Sequence, residues 1–180
     1  MAISDYKVVD DFLMGPPALS DTQSKALFPL GIKARAVNFS ATGSSIFPQF
    51  AEFVYAQGSN VASAGQFVQV WNGSAVVLAA ANSASFFPVG VAAGLLSATN
   101  AYGWVQVDGY VDYAKGTNSA IAAGVPLYVA AGTAGYLVTN VVAGNHVQGV
   151  VAPVSYTSSQ SNSLTVQLFR PFIAGLTASL

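Results

Sequence analysis

The chain has no cysteine among its 180 residues. Disulfides and thiolate metal sites are thereby excluded, and a packed core must hold the fold. This length is enough to bury such a core in a single domain, with or without a tail. Histidine is nearly absent too, with His146 alone. A metal site needs three or four ligands, so neither a metal nor another cofactor is expected. Charge is scarce. Charged residues make up 7% of the chain, against roughly 25% in an ordinary soluble domain. Six scattered basic residues do not form the row of Lys and Arg that phosphates demand, so nucleic acid is not an expected partner. Long uninterrupted apolar runs are also missing. The stretch from Ala75 to Leu96 contains Asn82, Ser83, Ser85, Pro88, Gly90 and Gly94. A spanning helix wants about 20 mostly apolar residues, and no membrane partner is expected. The opening residues lack the charged-then-apolar layout of a secretory leader, so export by the usual route is not expected.

What the chain does have is 53% hydrophobic residues and a formal net charge of -1. Surface charge keeps monomers apart in solution, and interface cores are depleted of it. A homo-oligomer is therefore expected. Charges concentrate at the beginning, with Asp5, Lys7, Asp10, Asp11, Asp21, Lys25, Lys33 and Arg35, and none lies between Glu52 and Asp108. Residues 1–30 also carry Gly15-Pro16-Pro17, which favours an extended path. Beside it stand Phe12, Leu13, Met14 and Phe28, unlike the usual disordered tail. This segment reads as an extended N-terminal arm that orders on a partner, ahead of a β domain over 31–180.

From about residue 31 the pattern is all-β, with no capped 3.6-residue repeat. Phe50 to Tyr55 forms a short apolar run. Gly65 to Trp71 ends at Asn72-Gly73, a pair suited to a type I′ hairpin turn because both positions need φ > 0. Ser74 to Ala80 returns from it, and Pro88 to Ala92 follows. Gly103 to Tyr113 alternates: Val105, Val107 and Val111 are placed on one face, Gln106, Asp108 and Asp112 on the other. Val125 to Ala130 and Tyr136 to Thr139 flank a Gly132–Gly135 hairpin, followed by Val147 to Val151 and Leu164 to Phe169. Short strands with Gly-rich turns predict a compact β-barrel or sandwich. An internal duplication is also expected, over about 65–107 and 124–168. Gly65 matches Gly124, Val70 matches Val129, Gly73 matches Gly132, and Gly90-Val91 matches Gly149-Val150. Such self-similarity predicts two related β units.

Catalytic chemistry finds few residues to work with. Asp108 and Asp112 sit four apart on the alternating strand, roughly 13 Å along it at about 3.3 Å per residue. That is wider than the roughly 5–9.5 Å of a glycosidase pair. Lys115-Gly116-Thr117 lacks the flanking pattern of a phosphate loop and reads as a turn. No enzyme is expected. Exposed aromatics are the remaining candidates. Trp71, Trp104 and Tyr110 could stack on sugars, but Trp104 and Tyr110 fit better on a second buried face or at a subunit interface, where Trp and Tyr are enriched. With Phe12, Leu13, Met14 and Phe28 they are the expected contacts to a partner or to a second protomer.

Several stretches in order carry a resemblance. They are Ala51-Glu-Phe-Val-Tyr-Ala-Gln-Gly58, Gly65 to Trp71, Pro88-Val-Gly-Val-Ala92 and Tyr102-Gly-Trp-Val-Gln-Val-Asp-Gly109. Ala122 to Val129, Gly132-Thr-Ala-Gly-Tyr136 and Val147-Gln-Gly-Val150 complete the series. Over residues 31–173 the chain resembles the capsid decoration, or cement, proteins of tailed bacteriophages. The resemblance implies a β domain on the outer capsid surface that bridges neighbouring major capsid subunits, commonly as a trimer, without catalytic residues. The alternative is an adhesin-type module that binds glycans through exposed aromatics.

Overall fold

The computed structural model describes residues 6–9, 18–38, 49–58, 60–78, 87–117, 120–139, 146–157 and 163–174. Phe12, Leu13 and Met14 lie outside the described residues. The fold is all-β, with no helix among the described residues. The strands are β1 (Tyr6–Val8), β2 (Lys33–Asn38), β3 (Gln49–Gly58), β4 (Phe67–Trp71), β5 (Ser74–Val77), β6 (Val89–Ala92), β7 (Tyr102–Ala114), β8 (Leu127–Val129), β9 (Leu137–Val138), β10 (His146–Val151) and β11 (Leu164–Ala174). They form one mixed sheet in the order β1-β2-β3-β5-β4-β6-β7-β11-β10-β8-β9, with β3 also paired to β7. The expected strands are thus all present. The β4–β5 turn has Asn72 at φ 47° and Gly73 at φ 76°, the left-handed pair that a type I′ hairpin requires.

β7 organises the sheet. Gly109 pairs with Ala51 of β3 and with Leu168 of β11, so these strands take opposite edges of β7. Gln106 likewise pairs with Phe53 of β3 and Val91 of β6. The pairings β3–β5, β5–β4, β4–β6, β6–β7 and β7–β3 close a ring of strands. Each of those strands contributes to one buried cluster that includes Val54, Val68, Ala75, Ala92, Val105 and Val107. A second ring runs β7–β11–β10–β8–β9. A parallel bridge from Gly116 to Leu137 closes it. Val111, Leu127, Val129, Leu137, Val147 and Val166 pack together there, joined by Phe67, Val89 and Val91 from the first ring. Lys115-Gly116-Thr117 is therefore not a turn: Leu137 N donates to Lys115 O at 3.1 Å and Thr117 N to Leu137 O at 3.0 Å.

The alternation expected along β7 is broken by shifts of register, the second of them opposite Leu164 and Val166 of β11. In the first, the pairing of β7 with β3 skips a residue opposite Glu52/Phe53, and Gly109 has φ +94°. An extra residue in one strand changes which face the following side chains take. Val105 and Val107 consequently line the first core and Val111 the second. Gln106, expected on the polar face, is fully buried. Its amide nitrogen donates to Tyr110 O at 2.9 Å and Asp108 O at 3.2 Å, and its carbonyl oxygen accepts from the Tyr113 hydroxyl at 2.9 Å. A buried amide satisfied in this way does not carry the desolvation penalty of an unmade bond. Tyr6 of β1 donates its hydroxyl to Tyr110 O at 2.7 Å, tying the first strand to this node.

Described parts of the segment 1–30 lie on the chain's own β domain. Tyr6 and Leu19 are buried. Gln23 exchanges backbone hydrogen bonds with Tyr102 at 2.8 and 3.1 Å. Phe28 covers Tyr55 and Trp104, with ring centroids 5.3 and 5.6 Å away. Trp104 is wholly buried, which corrects its expected place among the partner contacts. Its indole nitrogen has no hydrogen-bond acceptor among the described residues. Trp104→Ala should cost about 3–5 kcal/mol as a cavity forms. Trp104→Phe should cost no more than about 1.5 kcal/mol, because loss of the unsatisfied donor offsets part of the lost packing. Urea denaturation of the two variants checks this order.

Candidate functional site: a charged trough

For a chain so poor in charge, the grouping at the mouth of the first ring is unusual. Three of its six bases and two of its seven acids line two adjoining cavities: Lys33, Arg35, Arg170, Glu52 and Asp108. Strand register brings them together. Arg35 pairs with Glu52, Glu52 with Asp108, and Asp108 with Phe169, in one row across β2, β3, β7 and β11. Paired residues share a face of the sheet.

Glu52 is the anchor. Its side chain is only 11% exposed, whereas those of Lys33 and Arg170 are 60% and 68% exposed. Lys33 Nζ lies 2.8 Å from Oε1, and Arg170 donates to Oε2 at 3.2 Å. Arg170 Nε also lies 3.8 Å from Asp108. A carboxylate this buried is tolerable because both oxygens are paired. The two cations remain solvent-facing on their other side. Arg170 adopts φ 47°, a left-handed conformation that costs a non-glycine residue about 1–2 kcal/mol.

The larger cavity has a volume of about 770 Å³, with Val54, Val70, Val89 and Val107 in its lining. The smaller, about 420 Å³, is lined by Phe50 and Phe169 among others. Glu52 and Arg170 belong to both, so the two form one trough. Phe50 and Phe169 stand 67% and 60% exposed.

The expected aromatic contacts do not gather around this site. Phe28 and Trp104 belong to the packed layer described above. Tyr110 is half-buried on β7, opposite Gln167. Burial pushes its phenol above the ordinary value of 10, although an interaction with Thr165 lowers it. Among the described expected contacts, Trp71 alone is well exposed, at 58%. Its ring meets Phe87 at 5.0 Å, beside Val76 in a shallow depression on the β4–β5 hairpin. His146 packs against the Tyr128 ring at 5.1 Å. No cluster of three potential metal ligands occurs among the described residues, and no described helix is long and apolar enough to cross a membrane. No protein-family model, curated protein or solved structure matches this chain.

The sequence pattern singles out neither Lys33, Arg35, Glu52 nor Arg170, and offers Asp108 only as a pair with Asp112. The available signal was rarity. A charged residue inside a strand of an otherwise neutral chain has a partner to meet or a surface to present.

Proposed function

We propose that this chain is a non-enzymatic structural protein of the virion. It sits on the outer surface of a tailed-phage capsid, as a homotrimer, and stabilises the shell by bridging neighbouring major capsid subunits. The observation that carries the reading is the exposure of large apolar side chains on a surface with little charge: Phe50, Phe169, Trp71 and Val76 all stand out into solvent. Such groups mark association surfaces when they cluster, and Phe50 with Phe169 flanks the trough. A protein that binds only the assembled arrangement of subunits stabilises that arrangement by linkage, and repeated sites on an oligomer add avidity.

Two related β units belong to the same proposal. Tyr55-Ala56-Gln57-Gly58 reappears as Tyr113-Ala114-Lys115-Gly116. Gln57 pairs in parallel with Ser74, and Gly116 with Leu137. Val61 and Leu96 exchange two backbone hydrogen bonds, both 3.1 Å; Ile121 and Tyr156 exchange two at 3.0 and 2.7 Å. Gly65 N donates to Ala92 O, and Gly124 N to Ala152 O. The units then share β7, and a twice-built surface suits a protein that spans two copies of one partner. Phe12, Leu13 and Met14 belong to the same proposal, as contacts to the capsid or to a second protomer.

The test mixes purified protein with undecorated phage heads and sediments them. The protein is expected as a defined oligomer that coats the heads and raises their resistance to heat. A monomer left in the supernatant would overturn the reading, and glycan binding at Trp71 would be measured next.

A further inference from the structure

We infer that the trough binds an extended polypeptide segment carrying a carboxylate beside a large apolar side chain. The inference deepens the capsid reading, and rests on it only for the source of that segment. Three features of the trough lead to it. Lys33, Arg35 and Arg170 outnumber Glu52 and Asp108 there, and the heads of Lys33 and Arg170 are held by Glu52 with their open sides toward solvent. Unused N–H donors on fixed cations favour an incoming carboxylate, in a charge-assisted bond. The two cavities share Glu52 and Arg170, with four valines lining one and the exposed Phe50 and Phe169 lining the other. Adjoining charged and apolar linings suit an extended chain that presents alternate side chains to them. Finally, Arg170 is held at φ 47°. It lies where the β10–β11 pairing shifts register, and a bulge of this kind re-aims the side chain it carries.

The experiment uses the full chain and a set of immobilised extended peptides. Each carries one Glu flanked by Phe or Leu, and a matched peptide carries Gln. Binding to the Glu peptides is expected to exceed binding to the Gln peptides by about tenfold or more, and to weaken with added salt as the charges are screened. Arg170→Gly removes the cation and the strained backbone together. The relieved backbone offsets part of the loss of one partner of Glu52, so the variant should stay folded while losing about tenfold in peptide affinity. Lys33→Ala with Arg35→Ala makes the same test without touching the strained position. Equal retention of Glu and Gln peptides, or full affinity in both folded variants, would overturn the inference. Heads are assayed alongside. Variants that lose the Glu peptides but coat heads fully leave the capsid reading standing and remove the trough as its contact. Glu-selective binding by a protein that ignores heads leaves the trough standing and removes the capsid.

Discussion

Gly65→Ala is expected to destabilise the chain by more than about 4 kcal/mol, in the range that only backbone clashes and similar severe faults reach. The same change at Gly124 should cost about 1 kcal/mol. Both glycines have positive φ, +89° and +73°. An alanine at either must bear the left-handed penalty, partly offset by the narrower unfolded ensemble. The surroundings differ completely. A Cβ on Gly65 would run into the Tyr113 carbonyl oxygen, with Lys115 close behind, whereas one on Gly124 meets nothing within 4 Å. Lys115 N also donates to Gly65 O at 2.8 Å, so neither backbone can withdraw without losing that bond. Gly65 thus fastens the loop before β4 to the end of β7, where the first ring meets the second. Guanidinium denaturation of both variants measures the difference. Equal costs would mean that the contact between Gly65 and β7 yields easily.

The strands were legible in the sequence wherever two signals agreed. Gly65 to Trp71 had β-branched and aromatic residues and ended on Asn72-Gly73, so its position and its turn were both readable. β2 was harder. Lys33-Ala-Arg-Ala-Val-Asn38 alternates polar with small residues, and alanine has little strand preference; its neighbours β1 and β3 decide its state. The faces of β7 were misread because a bulge leaves no mark in a string of valines and polar residues, and Gly109 alone is an ambiguous sign. The sequence leaves Trp104 between a buried face and an interface, because its cover is not visible in the strand that carries it. The residues that bury it, Phe28 above all, lie far upstream in a segment that reads as an arm. Strand rings are likewise beyond alternation, since Gly116 and Leu137 meet through a single parallel bridge. The trough needed the cross-strand register itself. Arg35, Glu52, Asp108 and Phe169 lie on four strands, and only pairing places them in one row.

Stability should fall steeply once the pH rises above about 10, at up to ~1.4 kcal/mol per pH unit for each of two tyrosines. Burial raises the phenol of Tyr6 far above its ordinary value of 10, with the nearby Asp112 and Tyr110 adding to it and a hydrogen bond with Gln106 opposing it. Burial likewise raises Tyr113 well above 10, with further contributions from Tyr6 and Asp112. In both cases the neutral form is the one the fold keeps. Below pH 10 folded and unfolded chains hold these protons equally, and the stability is fully present. Above it the unfolded chain releases them while the folded chain does not, so the unfolded state binds fewer protons and gains with each further pH unit. The loss continues until the folded-state values are reached. Thermal midpoints from pH 7 to 11.5, followed by circular dichroism, should hold level and then drop past 10. Tyrosinate absorbance should gain a step that coincides with unfolding. Tyr6→Phe and Tyr113→Phe should each flatten the decline while lowering stability at neutral pH, since each removes a hydrogen bond around Gln106 and Tyr110. A decline of unchanged slope in both variants would place the alkaline sensitivity elsewhere and remove these two phenols from its cause.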